Sequence, residues 1–325
     1  MEKKITRGIS KQFADAFKEC CFHQLYLDNK NELFIGVRNN YLNLYYNCDS
    51  IAKITYTKGT INCEINKYYL KGVKDVSIEK KGKLKVTPEY IVNNYDIIKS
   101  NSNERTNDEK KAQSKLVLLN NANEESKWFC IDIEYIKQFK NAIQKKAAVL
   151  NGRFDIIALS KEKPHRVALI ELKYGKGAMG GKSGIYKHVG EFVKFKEKGF
   201  FDSHLKNEII EIIKSQLDLG IQVPFQMPTE FDSSSPEFYF ITLNNNPEKV
   251  NGSTPKQTMA AYLFNEKRWG CKLLSSKQHV ESKFGDITKK GNGFYATFLF
   301  SKATLDTLNI NDIIEGCYDE KIIPE

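Results

Sequence analysis

The sequence predicts an α/β protein in which a central mixed β-sheet is flanked by helices and preceded by an N-terminal antiparallel β-rich module. Residues 33–38 and 41–46 are β-prone runs joined by two asparagines, which is a strong hairpin signal. Residues 154–159 and 167–173 are apolar runs, rich in Ile, Val and Leu, that end in charge as buried strands do. Segments with helical spacing follow this second pair of runs, which indicates helices beside a sheet.

The composition sets the size and the general class of the protein. The chain has 325 residues, enough for one large or two ordinary domains, and 41% of them are hydrophobic, which suffices for a substantial core. The first residues lack the apolar stretch of a signal peptide, and no run approaches the roughly 18 apolar residues that a membrane span requires. The seven cysteines are odd in number and scattered, without a C-x-x-C motif, so neither a zinc site nor a disulfide framework is expected. We therefore expect a cytoplasmic protein without a membrane partner.

The N-terminal module is predicted to cover residues 1–99. It begins with a helix at residues 8–27, where apolar side chains recur at helical spacing. The hairpin follows, and residues 51–57, residues 61–70 and a pair of strands around Gly82 continue the β-rich pattern. Tyrosines are frequent in these strands; stacking on nucleic-acid bases is one interpretation, and strand propensity is the one we favour.

A linker is predicted to separate this module from the α/β core. Residues 100–115 are polar, charged and nearly free of apolar side chains, as linkers and mobile loops are. The core is then predicted over residues 116–325. Besides the two apolar runs, its predicted elements are a strand at 128–135, a glycine-rich loop at 175–184, helices up to 198 and at 203–219, a strand at 237–243, a helix at 254–269, and strands at 271–274 and 295–300.

Carboxylates occur inside the two apolar runs of the core. A polar link containing Pro164 joins the runs, so they predict a hairpin that carries Asp155 on one strand and Glu171 on the next. A carboxylate in such a run is costly unless it is paired or binds a metal. Because side chains alternate along a strand, Glu171 and Lys173 point to the same side, and Asp155 joins them if the strands pair in register. Two carboxylates and a lysine predict a Mg²⁺ site that activates water against a phosphate.

The local pattern acidic-x-Lys is common in a chain with 28% charged residues. It also occurs at Glu79 and Asp108, for example, where the surroundings are polar. Only Glu171 ends a strongly apolar run and has a matching apolar run with an acid upstream. The context, more than the motif, therefore favours a functional site.

Asp155 followed by Glu171-x-Lys173 resembles the core of the PD-(D/E)xK nuclease superfamily, which has the restriction-endonuclease-like fold. The resemblance covers about residues 127–200. One departure is Phe154, which precedes Asp155 where the motif name has proline. The resemblance implies cleavage of phosphodiester bonds without naming a substrate, and many members of the superfamily form homodimers. We expect a nuclease that uses Mg²⁺, or Mn²⁺, to cleave nucleic acid, with DNA favoured.

The resemblance also implies a third acid on the strand at 128–135. Many members have an upstream glutamate that completes the metal site, and Glu134 matches that position, although Asp132 lies on the same strand face. We therefore expect Asp155, Glu171 and Glu134 as metal ligands and Lys173 as the residue that activates water or stabilises charge.

Positive charge concentrates in the same part of the chain. The formal net charge is +10, and residues 161–200 contribute an excess of six positive charges, which favours a nucleic-acid partner over a merely solvated surface. His188 lies on an apolar helical face, so it is equally well interpreted as a core residue or as a phosphate-contacting or metal-orienting one. The residues predicted to bind nucleic acid are Lys176, Lys182, Lys187, Lys194 and His188.

Two other functions are compatible with parts of the sequence. The glycine-rich loop ends in Gly-Lys-Ser at residues 181–183 like a P-loop, but that motif needs glycine where Lys176 stands. We interpret the loop as a basic flap over the metal site, or as a plain flexible connection. A nucleic-acid-binding or interaction protein that kept the nuclease fold without activity is the other alternative, because fold alone does not determine function.

Overall fold

The computed structural model describes residues 7–74, 76, 82–139, 150–174, 185–243, 297–300 and 310–315. The helices are α1 (Lys11–Lys18), α2 (Cys21–Asp28), α3 (Pro88–Asn93), α4 (Tyr95–Asn103), α5 (Asp108–Ala122), α6 (Ile185–Glu197), α7 (Lys206–Asp218) and α8 (Ile310–Glu315). The strands are β1 (Leu33–Val37), β2 (Leu42–Tyr46), β3 (Asp49–Thr57), β4 (Thr60–Asn66), β5 (Lys83–Val86), β6 (Trp128–Phe139), β7 (Leu150–Ser160), β8 (Val167–Tyr174), β9 (Glu237–Leu243) and β10 (Thr297–Phe300). None of the helices in this described part of the chain is long and apolar enough to cross a membrane.

The chain divides into two compact units, which are described separately. Unit 1 comprises Met1–Glu124 and Lys206–Thr229, and unit 2 comprises Glu125–Leu205 and Glu230–Glu325. The first boundary therefore lies after α5, beyond the predicted limits at 99 and 116, and α7 belongs to unit 1 although it was predicted within the core.

Unit 1 is built on an antiparallel sheet in the order β1-β2-β3-β4-β5. The predicted hairpin of β1 and β2 is confirmed, with Asn40 at its turn in the left-handed conformation (φ 56°) that asparagine tolerates. Along each strand, side chains alternate between the two faces of the sheet. One face carries apolar residues that pack in the core of this unit, for example Ile35 on β1, Leu44 on β2 and Ile54 on β3.

The N-terminal helix is broken into two. The predicted helix at residues 8–27 is instead α1 and α2, because Cys20 has extended backbone angles (φ −87°, ψ 151°) that end one helix and start the next. Ser10 caps α1 by accepting a hydrogen bond from the backbone N–H of Phe13. The break lets each helix direct its own apolar residues into the core, including Phe17 and Phe22.

The predicted linker at residues 100–115 is instead mostly helical. Helix α4 extends to Asn103 and α5 begins at Asp108, capped by the side chain of Asn107. Two polar residues of this segment bind a buried carboxylate on β3: Ser102 Oγ donates to Asp49 Oδ2 at 3.0 Å, and the Arg105 guanidinium pairs with the same side chain. The segment was predicted as a loop because its residues are polar, but two of these polar side chains form specific hydrogen bonds within a helical region.

Unit 2 is built on a mixed sheet in the order β10-β9-β8-β7-β6, which confirms the coarse α/β prediction. Strands β6, β7 and β8 form an antiparallel meander, whereas β8, β9 and β10 run parallel. Helix α6 lies in the connection between the parallel strands β8 and β9, as a crossover requires. The strand predicted at 237–243 coincides with β9, and β10 lies within the predicted strand at 295–300. The elements predicted at 175–184, 254–269 and 271–274 lie outside the described residues.

Candidate active site

The two central carboxylates lie at corresponding positions on neighbouring strands. The pairing of β7 with β8 runs from Leu159 opposite Val167 to Ile156 opposite Ile170, so the next position places Asp155 across from Glu171. Beyond that last pair, Asp155 Oδ2 accepts a hydrogen bond from the backbone N–H of Leu172 at 2.8 Å. The carboxylate of Asp155 therefore lies beside the segment that carries Glu171 and Lys173, and the predicted hairpin is confirmed.

Glu171 and Lys173 form a buried ion pair. Lys173 Nζ donates to Glu171 Oε1 at 2.6 Å, and the two side chains are only 5% and 3% exposed. Their contact follows from the alternation of side chains along β8, as the sequence predicted. Every residue from Val167 to Lys173 is buried, so this charged pair lies on a strand that is covered on both faces. Burying two charges costs several kcal/mol per ion before their attraction is counted, so the pair by itself is weak evidence of stabilisation.

Helix α6 brings His188 to the same carboxylate. Phe192 and Phe195 of this helix pack on Phe154 of β7, with ring centroids 5.2 and 5.1 Å apart. His188 precedes them by four and seven residues, so it lies on the same helical face, toward the sheet. Its Nε2 is 3.1 Å from Glu171 Oε1.

The contact with Glu171 bears on the interpretation of His188, which the sequence left open. The histidine is buried and lies against the candidate site, and it shares the Oε1 atom of Glu171 with Lys173. Its predicted contact with nucleic acid remains a prediction.

Glu134 lies across from Asp155 on the third strand of the meander. The pairs of Ile133 with Ile156 and of Tyr135 with Phe154 bracket these two acids, so they occupy facing positions on β6 and β7. Glu134 has a left-handed backbone conformation (φ 50°), which is uncommon for a residue other than glycine.

Asp132, the alternative third acid, has a different environment. It is fully buried, its Oδ1 accepts a hydrogen bond from the backbone N–H of Ile133 at 2.9 Å, and it pairs with Ile157, two residues along β7 from Asp155. Glu134, rather than Asp132, is therefore at the level of Asp155.

The predicted phosphate-binding lysines are only partly described. Lys194 is an exposed residue of α6. Lys187 belongs to the same helix, but its side chain is outside the described part of the chain. Lys176 and Lys182 also lie outside the described residues, as does the rest of the glycine-rich loop.

One residue of the site was missed in the sequence. Glu191 follows His188 by three residues on α6, and its Oε2 is 3.4 Å from His188 Nδ1. The i, i+3 spacing of an acid and a histidine on one helix is the signal that points to this contact.

The acids of the site match the chemistry of a hard divalent cation. In the described residues, no three His, Cys, Asp or Glu side chains come together as a ready-made metal-binding group. Mg²⁺, however, is commonly held by only one or two carboxylates, with waters and substrate phosphates completing its shell. Asp155 and Glu171, on adjacent strands, fit that smaller requirement.

The fold and the site define an α/β protein with a buried acid–lysine pair in a mixed sheet. No family model, curated protein or solved structure matches the chain.

Proposed function

We propose that this protein is a metal-dependent nuclease that hydrolyses phosphodiester bonds in nucleic acid, with DNA the favoured substrate. The proposal is based on one observation: Glu171 and Lys173 form a buried ion pair, and the carboxylate of Asp155 lies beside it on the neighbouring strand. An antiparallel meander followed by a helix and a parallel strand is also consistent with the resemblance to the PD-(D/E)xK nucleases.

Each residue of the cluster has a distinct role in this proposal. The carboxylates of Asp155 and Glu171 would hold Mg²⁺ or Mn²⁺. Glu134, whose side chain does not form a three-acid group with them in the described structure, stays a predicted additional ligand. When bound, the metal would supply an activated water and polarise the phosphate. The Lys173 ammonium orients the attacking water and stabilises negative charge that develops on the phosphate oxygens.

The backbone of Glu134 supports its inclusion in the site. A non-glycine residue in the left-handed region costs on the order of 1–3 kcal/mol, and such residues cluster at functional sites because the surrounding structure holds them there. Glu134 adopts this conformation at the position that faces Asp155.

The expected partner and compartment follow from charge and cysteine chemistry. The excess positive charge at residues 161–200 favours nucleic acid, through attraction to its phosphates. Cys20, Cys21 and Cys63 are thiols, which is consistent with the reducing cytoplasm that we propose as the location. A homodimer is the assembly that the resemblance suggests.

A second candidate function is favoured by one observation. Lys173 and His188 both contact Oε1 of Glu171, so the carboxylate already has two cationic or polar partners within the protein. A carboxylate with two partners inside the protein can be a structural ion-pair cluster that binds no metal. In that case the protein would bind nucleic acid through its positive charge without cutting it.

A cleavage assay separates these functions. Purified full-length protein is incubated with single- and double-stranded DNA and RNA, in Mg²⁺, in Mn²⁺ and in chelator. We expect cleavage only with metal, and a loss of at least about a hundredfold in Asp155→Asn and Glu171→Gln, because each removes a metal ligand. Glu162→Gln is the matched control, since this exposed acid lies in the turn of the same hairpin. Absence of cleavage across the whole panel would favour the binding protein.

A further inference from the structure

Strands β6 and β7 continue past the candidate site as a two-stranded ribbon. In the described part of the chain, the pairing of β7 with β8 ends at Ile156 and Ile170. The pairing of β6 with β7 continues beyond that level, as far as Phe139 opposite Leu150. The ribbon therefore leaves the sheet at the level of Asp155, and its root lies next to the proposed metal ligands.

Two features of the backbone mark the root of the ribbon. The backbone N–H of Leu172 donates to the side chain of Asp155, so a carboxylate stands where the ladder between β7 and β8 would continue. On β6, Glu134 has a left-handed backbone (φ 50°) at the same level. In β-bulges, a residue with this conformation accompanies a bend and a stronger twist of the strand. The ribbon is thus set off from the sheet at the candidate site itself.

The described surface of the ribbon combines an apolar and a cationic side chain. Tyr135 and Phe154, the pair nearest the sheet, are buried. The next pair is Ile136, which is 52% exposed, opposite Arg153, which is also exposed. A large exposed apolar side chain beside a guanidinium suits a partner that presents both apolar groups and negative charge, as the grooves of nucleic acid do.

The charge of this part of the chain favours a polyanion as the partner. Residues 136–153 include five Lys or Arg residues and no Asp or Glu, although the whole chain has 40 acidic residues against 50 basic ones. Positive charge without intervening acids is attracted to the phosphate backbone of nucleic acid. The charge therefore complements the partner that the exposed pair of side chains suggests.

The dimensions of the ribbon fit B-form DNA. From Arg153 back to Leu150 the strand spans roughly 10 Å, at about 3.4 Å per residue. The major groove of B-DNA is about 12 Å wide and about 8.5 Å deep, and it admits a two-stranded β-ribbon. The major groove of A-form RNA is too narrow for side chains to read, and single strands are held mainly by stacking on aromatic side chains. Neither exposed residue described on the ribbon is aromatic, so double-stranded DNA is the best match.

We propose that the β6–β7 ribbon is a substrate-binding arm that enters the major groove of double-stranded DNA, while the acids at its root lie at the phosphate backbone. Arg153 contacts a phosphate or a guanine edge, and Ile136 packs against thymine methyl groups. This inference rests on the proposed nuclease function and narrows its substrate to duplex DNA.

The test measures binding to fluorescently labelled oligonucleotides of one sequence, as duplex DNA, single-stranded DNA and duplex RNA. Fluorescence anisotropy is recorded in chelator, where no metal-dependent cleavage occurs. We expect the wild type to bind duplex DNA most tightly. Arg153→Gln should raise the Kd for duplex DNA by about tenfold and the Kd for single-stranded DNA by less than about twofold, because only the duplex has a groove. In Mg²⁺, the KM for duplex DNA should rise by a similar factor.

Competing ligands test which groove is used. Methyl green, which occupies the major groove, should displace the protein from duplex DNA. Netropsin, which occupies the minor groove, should not displace it.

Lys163→Gln is the matched control. This exposed lysine follows the other end of β7, in the turn before β8, so the variant loses the same charge away from the ribbon. Its Kd should stay within about twofold of the wild type for every oligonucleotide. Ile136→Thr is a second variant at the ribbon, and it keeps a β-branched residue in the strand. It should raise the Kd for duplex DNA by about threefold or more.

The outcomes separate this inference from the nuclease proposal. A loss confined to duplex DNA in either ribbon variant supports the arm. Unchanged duplex binding in both variants, equal losses for all three oligonucleotides, or displacement by netropsin alone would overturn it, and the nuclease function would stand if the wild type still cleaves DNA. Ribbon-dependent binding without cleavage in Mg²⁺ or Mn²⁺ would overturn the nuclease proposal and leave a DNA-binding arm. A wild type that neither binds nor cleaves any of these substrates would overturn both.

Discussion

Replacing Lys173 with methionine tests whether the acid–lysine pair is buried and paired as the structure has it. Methionine keeps much of the length of the side chain but removes the ammonium group, so Glu171, only 3% exposed, loses its contact at 2.6 Å. Removing one partner of a buried pair costs about 3–5 kcal/mol because the remaining charge stays out of water. Since His188 still lies 3.1 Å from the same oxygen, we expect the lower end of that range, about 3 kcal/mol in the free energy of unfolding.

Trp128 provides the measurement. This residue is fully buried in β6, in the same sheet as the pair, so in a Trp269→Phe background, where it is the remaining tryptophan, its fluorescence reports the unfolding of unit 2 in urea. Lys194→Met is the matched control: this lysine is exposed on α6, and its replacement should change the free energy by no more than about 0.5 kcal/mol. The double variant Glu171→Gln with Lys173→Met should recover part of the loss, because the carboxylate that would be left unpaired is gone.

The outcome that refutes this reasoning is a Lys173→Met protein as stable as the Lys194→Met control. Such a result would mean that the Lys173 ammonium does not compensate a buried charge in the folded protein. The burial of two paired charges, which distinguishes Glu171 and Lys173 from the other acidic-x-Lys segments of the chain, would then be in contradiction with experiment.

Two further predictions concern unit 1. Asp49→Ala should lower the free energy of unfolding by about 2 kcal/mol, because Ser102 and the half-exposed Arg105 lose the carboxylate that binds them. Proteolysis between α4 and α5 should also become faster. An unchanged digestion pattern would contradict this account of residues 100–115. Burial raises the pKa of the Cys21 thiol from 9.0 to about 12, so less thiolate is present at pH 8 in the folded protein than in the unfolded chain. Alkylation of Cys21 by iodoacetamide at pH 8, followed by mass spectrometry, should therefore be at least about tenfold slower in native protein than in urea, and equal rates would refute the raised pKa of this half-buried thiol.

The strands of the candidate site were predictable because their signal is local. The segments that form β7 and β8 contain the continuous apolar runs and the polar turn that predict a buried hairpin, and β9 was predicted with its observed limits. The shared face of Glu171 and Lys173 also follows from the two-residue period of a strand. The break between α1 and α2 was not predictable in this way, since apolar residues continue at helical spacing through Cys20.

The polar segment at residues 100–115 shows why composition can mislead. Its hydrophilic side chains suggest a solvated linker, yet Ser102 and Arg105 bind the buried Asp49, more than fifty residues earlier in the chain. Nothing within the segment indicates that partner, because a hydrogen bond between distant residues depends on how the helices dock on the sheet.

The sequence by itself determined the α/β class, the hairpin that carries Asp155 and Glu171, and the side of the strand that Lys173 shares with Glu171. Each of these depends on residues a few positions apart, or on two adjacent strands joined by a short turn. Only the tertiary structure decided that His188 lies at the Glu171 carboxylate, with Glu191 on the other side of its ring, and that Glu134 faces Asp155 with a left-handed backbone. Those contacts arise from the packing of α6 against the sheet and from the pairing register of β6, which a short stretch of sequence does not encode.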